Sequence, residues 1–305
     1  MKERSVSPPL GELLVPMFDC MAERGPDSAG LAVFGAPFPE SSRRYSLFAP
    51  DKSYDWLSLT SRLSKAIQFK CGVAFNENHA TIGTDADVTV VSKWLTENEP
   101  ALHLLSAGRS IEVYKDEGHP LEIARRYRFA TLAGTHCVGH TRMATESAVS
   151  PAHAHPFTAG EDFCLVHNGS LSNPYMLRRK LERQGLTFET DNDTEAACRF
   201  IEWRLRQGDS IHQALEASLR ELDGFYTLLI ATAHEMTLVR DAFACKPAVV
   251  AETDQYVAIS SEFRSLAHLP GVAEANIFEP LPEEIYTWSI ARTEPKVLGS
   301  LAAHR

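Results

Sequence analysis

Gly139-His140-Thr141-Arg142-Met143-Ala144-Thr145 and, further on, Val166-His167-Asn168-Gly169 decide how this chain is read. Between them lies Ala154-His155-Pro156, and beyond them Asp191-Asn192-Asp193-Thr194-Glu195. Val138 to Met143 and Phe163 to Val166 read as strands that deliver polar residues to their ends. A permanently charged Arg, an Asn-Gly loop and an acidic helix start can all face one small zwitterionic ligand.

Outward from this stretch, Asn173-Pro174 opens a helix with an N-cap and a Pro at its first position, and Gly185 ends it. Apolar stripes predict two more helices, from Asp193 to Gly208 and from Ser210 to Leu222. The texture then changes to strands at 225–232, 236–240, 247–251, 256–260 and 285–288. Toward the N-terminus, Leu10, Leu13, Leu14, Met17, Phe18 and Met21 recur at helical spacing. A Gly/Pro turn from Arg24 to Gly30 then leads into an apolar strand, Leu31–Phe34. Residues 35–53 read as loop, 55–68 as helix, and 72–75, 88–91 and 111–114 as strands, with a helix from Pro120 to Phe129. Short strands following paired helices predict antiparallel sheets covered by helices, an α+β fold. No linker composition brackets any part, so residues 1–292 read as a single domain with a tail at 293–305.

At 305 residues and 44% hydrophobic content the chain can bury a large core without covalent staples. Its net charge of −10, with basic residues scattered, leaves no footprint for a phosphate backbone, which argues against nucleic acid. No apolar run is of membrane-spanning length and no signal peptide is evident. Six scattered cysteines without a CxxC pair fit free thiols in a reducing cytoplasm. His153 and His155 lack a third ligand, so neither metal nor cofactor is expected.

Arg142 can grip a carboxylate with two parallel bonds. A lone Arg is more often a surface residue paired to an acid, but here it follows an apolar strand in a Gly/His/Thr context. Asn168-Gly169 serves most often as a β-turn, yet at a strand end it can offer an amide N–H and a backbone N–H to an oxyanion. Asp193 reads either as an N-cap or as a receptor for an ammonium group. His155, before Pro156, reads as a loop-shaping residue, and His167 as packing or as a tuner of the site.

Taken in order, these motifs resemble the class II glutamine amidotransferases, glutaminase domains of the N-terminal-nucleophile hydrolases. Arg24-Gly25-Pro26-Asp27-Ser28-Ala29-Gly30, Leu222-Asp223-Gly224-Phe225-Tyr226, Arg240-Asp241 and Lys246-Pro247 extend the match over nearly the whole chain. The resemblance implies a four-layer αββα sandwich. Arg142 would hold the α-carboxylate of glutamine and Asp193 its α-amino group. Asn168 and Gly169 would form the oxyanion hole, and Thr145, His155 and His167 would belong to the substrate pocket. The family's nucleophile is an N-terminal cysteine thiol with its own α-amine as proton acceptor. This sequence begins Met1-Lys2-Glu3, so the expectation is a shortened chain lacking a first strand and that cysteine. Internal Cys71 and Cys20 carry no free amine. Met143 and Glu146 depart from the residues common in the family, which leaves its subfamily open. The resemblance is strongest to stand-alone subunits of glutamate synthase-like and N-methylglutamate synthase complexes, which pass ammonia to a synthase partner subunit. The alternative is a catalytically inactive glutamine- or glutamate-binding regulatory subunit.

Overall fold

The computed structural model describes residues 9–143 and 149–290. Helix α1 (Leu10–Ala22) buries Leu14, Phe18 and Ala22, and β1 (Ser28–Phe34) is buried along its whole length. There follow β2 (Arg43–Phe48), α2 (Trp56–Ile67), β3 (Cys71–Asn76), β4 (His79–Thr84) and α3 (Val88–Asn98). Strands β5 (His103–Gly108) and β6 (Ile111–Glu117) precede α4 (Pro120–Arg126), β7 (His136–Arg142), β8 (Phe157–Thr158) and β9 (Phe163–Leu171). Helices α5 (Pro174–Glu182), α6 (Asp193–Arg206) and α7 (Ile211–Glu221) begin where their caps place them. Asn173 accepts the Met176 N–H at 3.3 Å, and Ser210 with Gln213 closes a capping box. The chain ends through β10 (Gly224–Thr232), β11 (Glu235–Arg240), β12 (Val249–Glu252), β13 (Val257–Ser260), α8 (Phe263–Leu266), β14 (Asn276–Phe278) and β15 (Ile285–Ser289).

Two sheets stack at the centre: β6-β1-β7, and β15-β11-β10-β9-β8. Because successive strand side chains point to opposite faces, each sheet contributes to two cores. Ala29 and Leu31 of β1 pack with Leu14 and Phe18 of α1 and with Ile123 and Ala124 of α4. Ala32 and Phe34 turn the other way, onto Cys164 and Val166 of β9 and Ala231 of β10. Leu165, Leu228 and Ile230 then face Phe200 and Ile201 of α6 and Leu215 of α7. The order helix, sheet, sheet, helix is a four-layer αββα sandwich of the α+β class.

Residues 43–108 add a second arrangement, the sheet β3-β4-β2-β5 with α2 and α3 packed over Tyr45, Leu47, Ile82, Val91 and Leu95. Two expectations fail there. Val88–Val91 is not a strand but the first turn of α3. Asp87 accepts the Thr89 N–H at 2.8 Å, and Val91 and Leu95, four apart, are buried together. Cap and spacing override the β-branched composition. The loop expected over 35–53 contains β2, whose Arg44 is buried because Glu112 and the Ala36 carbonyl accept from its guanidinium. The tail expected at 293–305 lies outside the described residues, as does Thr145.

Candidate active site

Each polar motif sits at the end of a strand or the start of a helix, and backbone hydrogen bonds tie those ends together. Arg142 closes β7, where its carbonyl accepts the Asp27 N–H at 3.1 Å. Gly169 on β9 has φ 145°, a conformation that L side chains rarely adopt, and a Cβ there would stand 1.9 Å from the Phe225 carbonyl oxygen. Asp193 is the first residue of α6, but it is not the N-cap. That role belongs to Asn192, whose side chain accepts the Thr194 N–H at 2.8 Å. The Asp193 carboxylate reaches across to accept the Leu171 N–H at 2.9 Å, fixing the start of α6 to the end of β9.

One cleft of about 1950 Å³ is lined by Arg142, Asp193, Asn168, Gly169, His155 and His167. All six described candidates therefore come together. Burial pushes the Arg142 guanidinium below its ordinary value, while Asp27, Asp191 and Asp193 oppose that shift by favouring its charge. A guanidinium, a carboxylate and an Asn-Gly pair lining one cleft can receive the carboxylate, the ammonium and the polarised amide oxygen of an amino-acid amide.

The same cleft is lined by three imidazoles, His140, His155 and His167. His155 lies in the loop before β8, as expected, and is also buried, with its ring centroid 4.0 Å from that of His140. Burial lowers His140 to about 4 and His155 well below its ordinary value. It also lowers His167, against the opposing pull of Asp193. Gly30 makes this packing possible, since a Cβ there would stand 2.0 Å from the His155 carbonyl oxygen. Sequence reading missed His140 as a separate site residue, although its position two before Arg142 on a strand puts both on one face. It also missed Lys115, which burial pushes down to about 8 and whose Nζ stands 4.7 Å from the Phe157 ring centroid. Lys115 does not itself line the cleft, and the alternation of β6, which puts it on one face with buried Ile111 and Val113, is the signal that could have found its burial.

Of the six cysteines, Cys137 alone lines the cleft, and burial pushes its thiol up to about 12, where it is not a nucleophile at neutral pH. Cys71 lies on β3, and the Cys20 sulfur faces the Arg264 carbonyl from α1. Among the described residues no cluster of three or more His, Cys, Asp or Glu is placed to hold a metal ion, and no helix is long and apolar enough to cross a membrane.

Residues 140–268, which contain all six described candidates, match the glutamine amidotransferase domain family. The chain is 43% identical over 94% of its length to the glutamine amidotransferase-like protein GlxB of Rhizobium meliloti (strain 1021), covering 95% of that protein. This chain belongs to the class II glutamine amidotransferases. It is also 32% identical to a putative glutamine amidotransferase of Methanothermobacter thermautotrophicus, over 91% of this chain and 94% of that one. Among solved structures, the amidotransferase fold is shared with the glutamine phosphoribosylpyrophosphate amidotransferase of B. subtilis. The TM-score is 0.59 at 18% identity, over 92% of this chain and 44% of that one. The amidotransferase chain thus spans under half the length of that enzyme.

Proposed function

We propose that this chain is a glutaminase subunit that hydrolyses glutamine to glutamate and ammonia for a separate synthase subunit in the cytoplasm, residues 1–292 acting as one domain. The observation that carries this reading is the convergence of Arg142, Asp193 and Asn168-Gly169 on one cleft. Arg142 takes the α-carboxylate, Asp193 the α-ammonium, and the Asn168 amide with the Gly169 N–H the developing oxyanion. His155 and His167 also line the cleft, and Thr145, outside the described residues, is assigned to the glutamine pocket by the family resemblance alone. In the family's chemistry a thiol attacks the carboxamide carbon, and its proton passes through the cysteine's α-amine to the departing nitrogen. Water then cleaves the glutamyl thioester and returns the thiol. Cys137 is unsuited to that step, so the nucleophile is assigned to an N-terminal cysteine outside these six. No cofactor takes part.

Trapping tests this assignment. The protein expressed with its natural N-terminus is treated with an electrophilic glutamine analogue and digested for mass spectrometry. One adduct on an N-terminal cysteine is expected; labelling of Cys137 or no labelling would overturn the assignment. The high value of the Cys137 thiol favours one other reading, a glutamine- or glutamate-binding regulatory subunit. Calorimetric binding of glutamine without any ammonia release would select it.

A further inference from the structure

His167 lines the cleft but is almost wholly buried, its side chain 1% exposed. It touches both halves of the site. On one side, its Nε2 stands 2.9 Å from where a Cβ would sit on Gly169, so the ring packs directly against the left-handed bend that presents the Gly169 N–H. On the other, its Nδ1 is 2.9 Å from Thr194 Oγ1 and 3.9 Å from Asp193 Oδ1. The Thr194 hydroxyl is itself 3.5 Å from Asp193 Oδ1. With a carboxylate on that side, the imidazole proton belongs on Nδ1. His167 then donates to Thr194, and Thr194 turns its own proton toward Asp193. Nε2 is buried and has no hydrogen-bond partner among the described residues, so the Thr194 bond is what fixes the ring's orientation.

We propose that His167 and Thr194 are a pair of positioning residues that lock the oxyanion-binding bend of β9 to the carboxylate at the start of α6. Resting on the glutaminase reading above, this explains how two elements joined through a long connection hold complementary ligand groups in one register. Substrate ammonium at Asp193 and the oxyanion donors are thereby coupled: a change on either side is felt on the other.

That crossing is the test, because a merely local role would not produce it. Thr194→Val removes the hydroxyl at constant shape on the Asp193 side, yet it is expected to lower kcat for glutamine hydrolysis as well as raise KM. Each effect is about tenfold, the scale of one buried hydrogen bond. His167→Ala, on the oxyanion side, is expected to raise KM as well as lower kcat. The double variant should lose no more than the worse single one. Thr194→Ser, which keeps the hydroxyl, should recover activity to within about twofold of the parent. A Thr194→Val protein that changes KM alone, or single losses that multiply in the double variant, would overturn the coupling. If the parent binds glutamate without hydrolysing glutamine, the catalytic reading fails by itself. The pair is then judged by calorimetry, where His167→Ala should weaken glutamate binding about tenfold; unchanged binding overturns it. A parent that binds neither amino acid removes both readings.

Discussion

On the proposed glutaminase reading, Asn168 and Arg142 make separable contributions, and their substitutions should show it. Asn168→Ala deletes one oxyanion donor while leaving the carboxylate and ammonium contacts, so kcat should fall by roughly 10²–10³ with KM little changed. Arg142→Lys keeps the charge but loses the planar fork, so KM should rise by about tenfold or more with a smaller effect on kcat. Steady-state ammonia release separates the two; matching losses in the same parameter would mean that one group does both jobs. These residues were legible in the sequence because they sit in short polar motifs at the ends of apolar strands. For His140 and Lys115 strand alternation gives the face, but not what the assembled layers bury against it. A histidine that burial lowers to about 4 reads in the sequence like any other. Asp193 shows the opposite case, a position read correctly as a helix start with the capping role one residue off, on Asn192.

At the scale of elements, polar punctuation was the most reliable signal. Asn173, Ser210, Gly185 and Gly208 bound their helices as expected, with both glycines at positive φ. Ser210→Ala removes the side-chain half of the capping box and should cost about 1 kcal/mol of stability, seen as a lower urea midpoint with unchanged slope. A midpoint equal to the parent's would show that packing of Ala214 and Leu215 alone fixes the start of α7. Where punctuation was weak, reading failed. Val88–Val91 has strand composition and only Asp87 to mark a helix, while β2 carries arginines that look exposed until Glu112 on β6 is brought beside Arg44. The partner that neutralises Arg44 is remote in sequence, so no local pattern could announce it.

Across the whole molecule, the layers keep several histidines uncharged. His79, His136 and His140 are each lowered by burial from 6.5 to about 4. The unfolded chain therefore binds their protons first as pH falls. Their contribution is fully present above about pH 6.5 and is lost between there and about 4, each by on the order of 3 kcal/mol. Stability against urea should be flat from about pH 8 to 7 and collapse toward pH 5. A midpoint that holds constant down to pH 4.5 would mean that these rings are solvated or already charged in the folded protein. The αββα order itself was reachable only through resemblance. Local patterns supplied most strands of the two central sheets, but not which two sheets stack or that β1 lies between β6 and β7.

On the proposed reading, this cleft turns over glutamine with a thiol that none of the six cysteines from Cys20 to Cys245 supplies. Ammonia and glutamate released from glutamine, measured on the protein with its natural N-terminus before and after thiol alkylation, test it most directly. One-to-one release that alkylation abolishes is expected, together with equal release from a Cys137→Ser variant. Release that survives alkylation, or that is lost with Cys137, would contradict it.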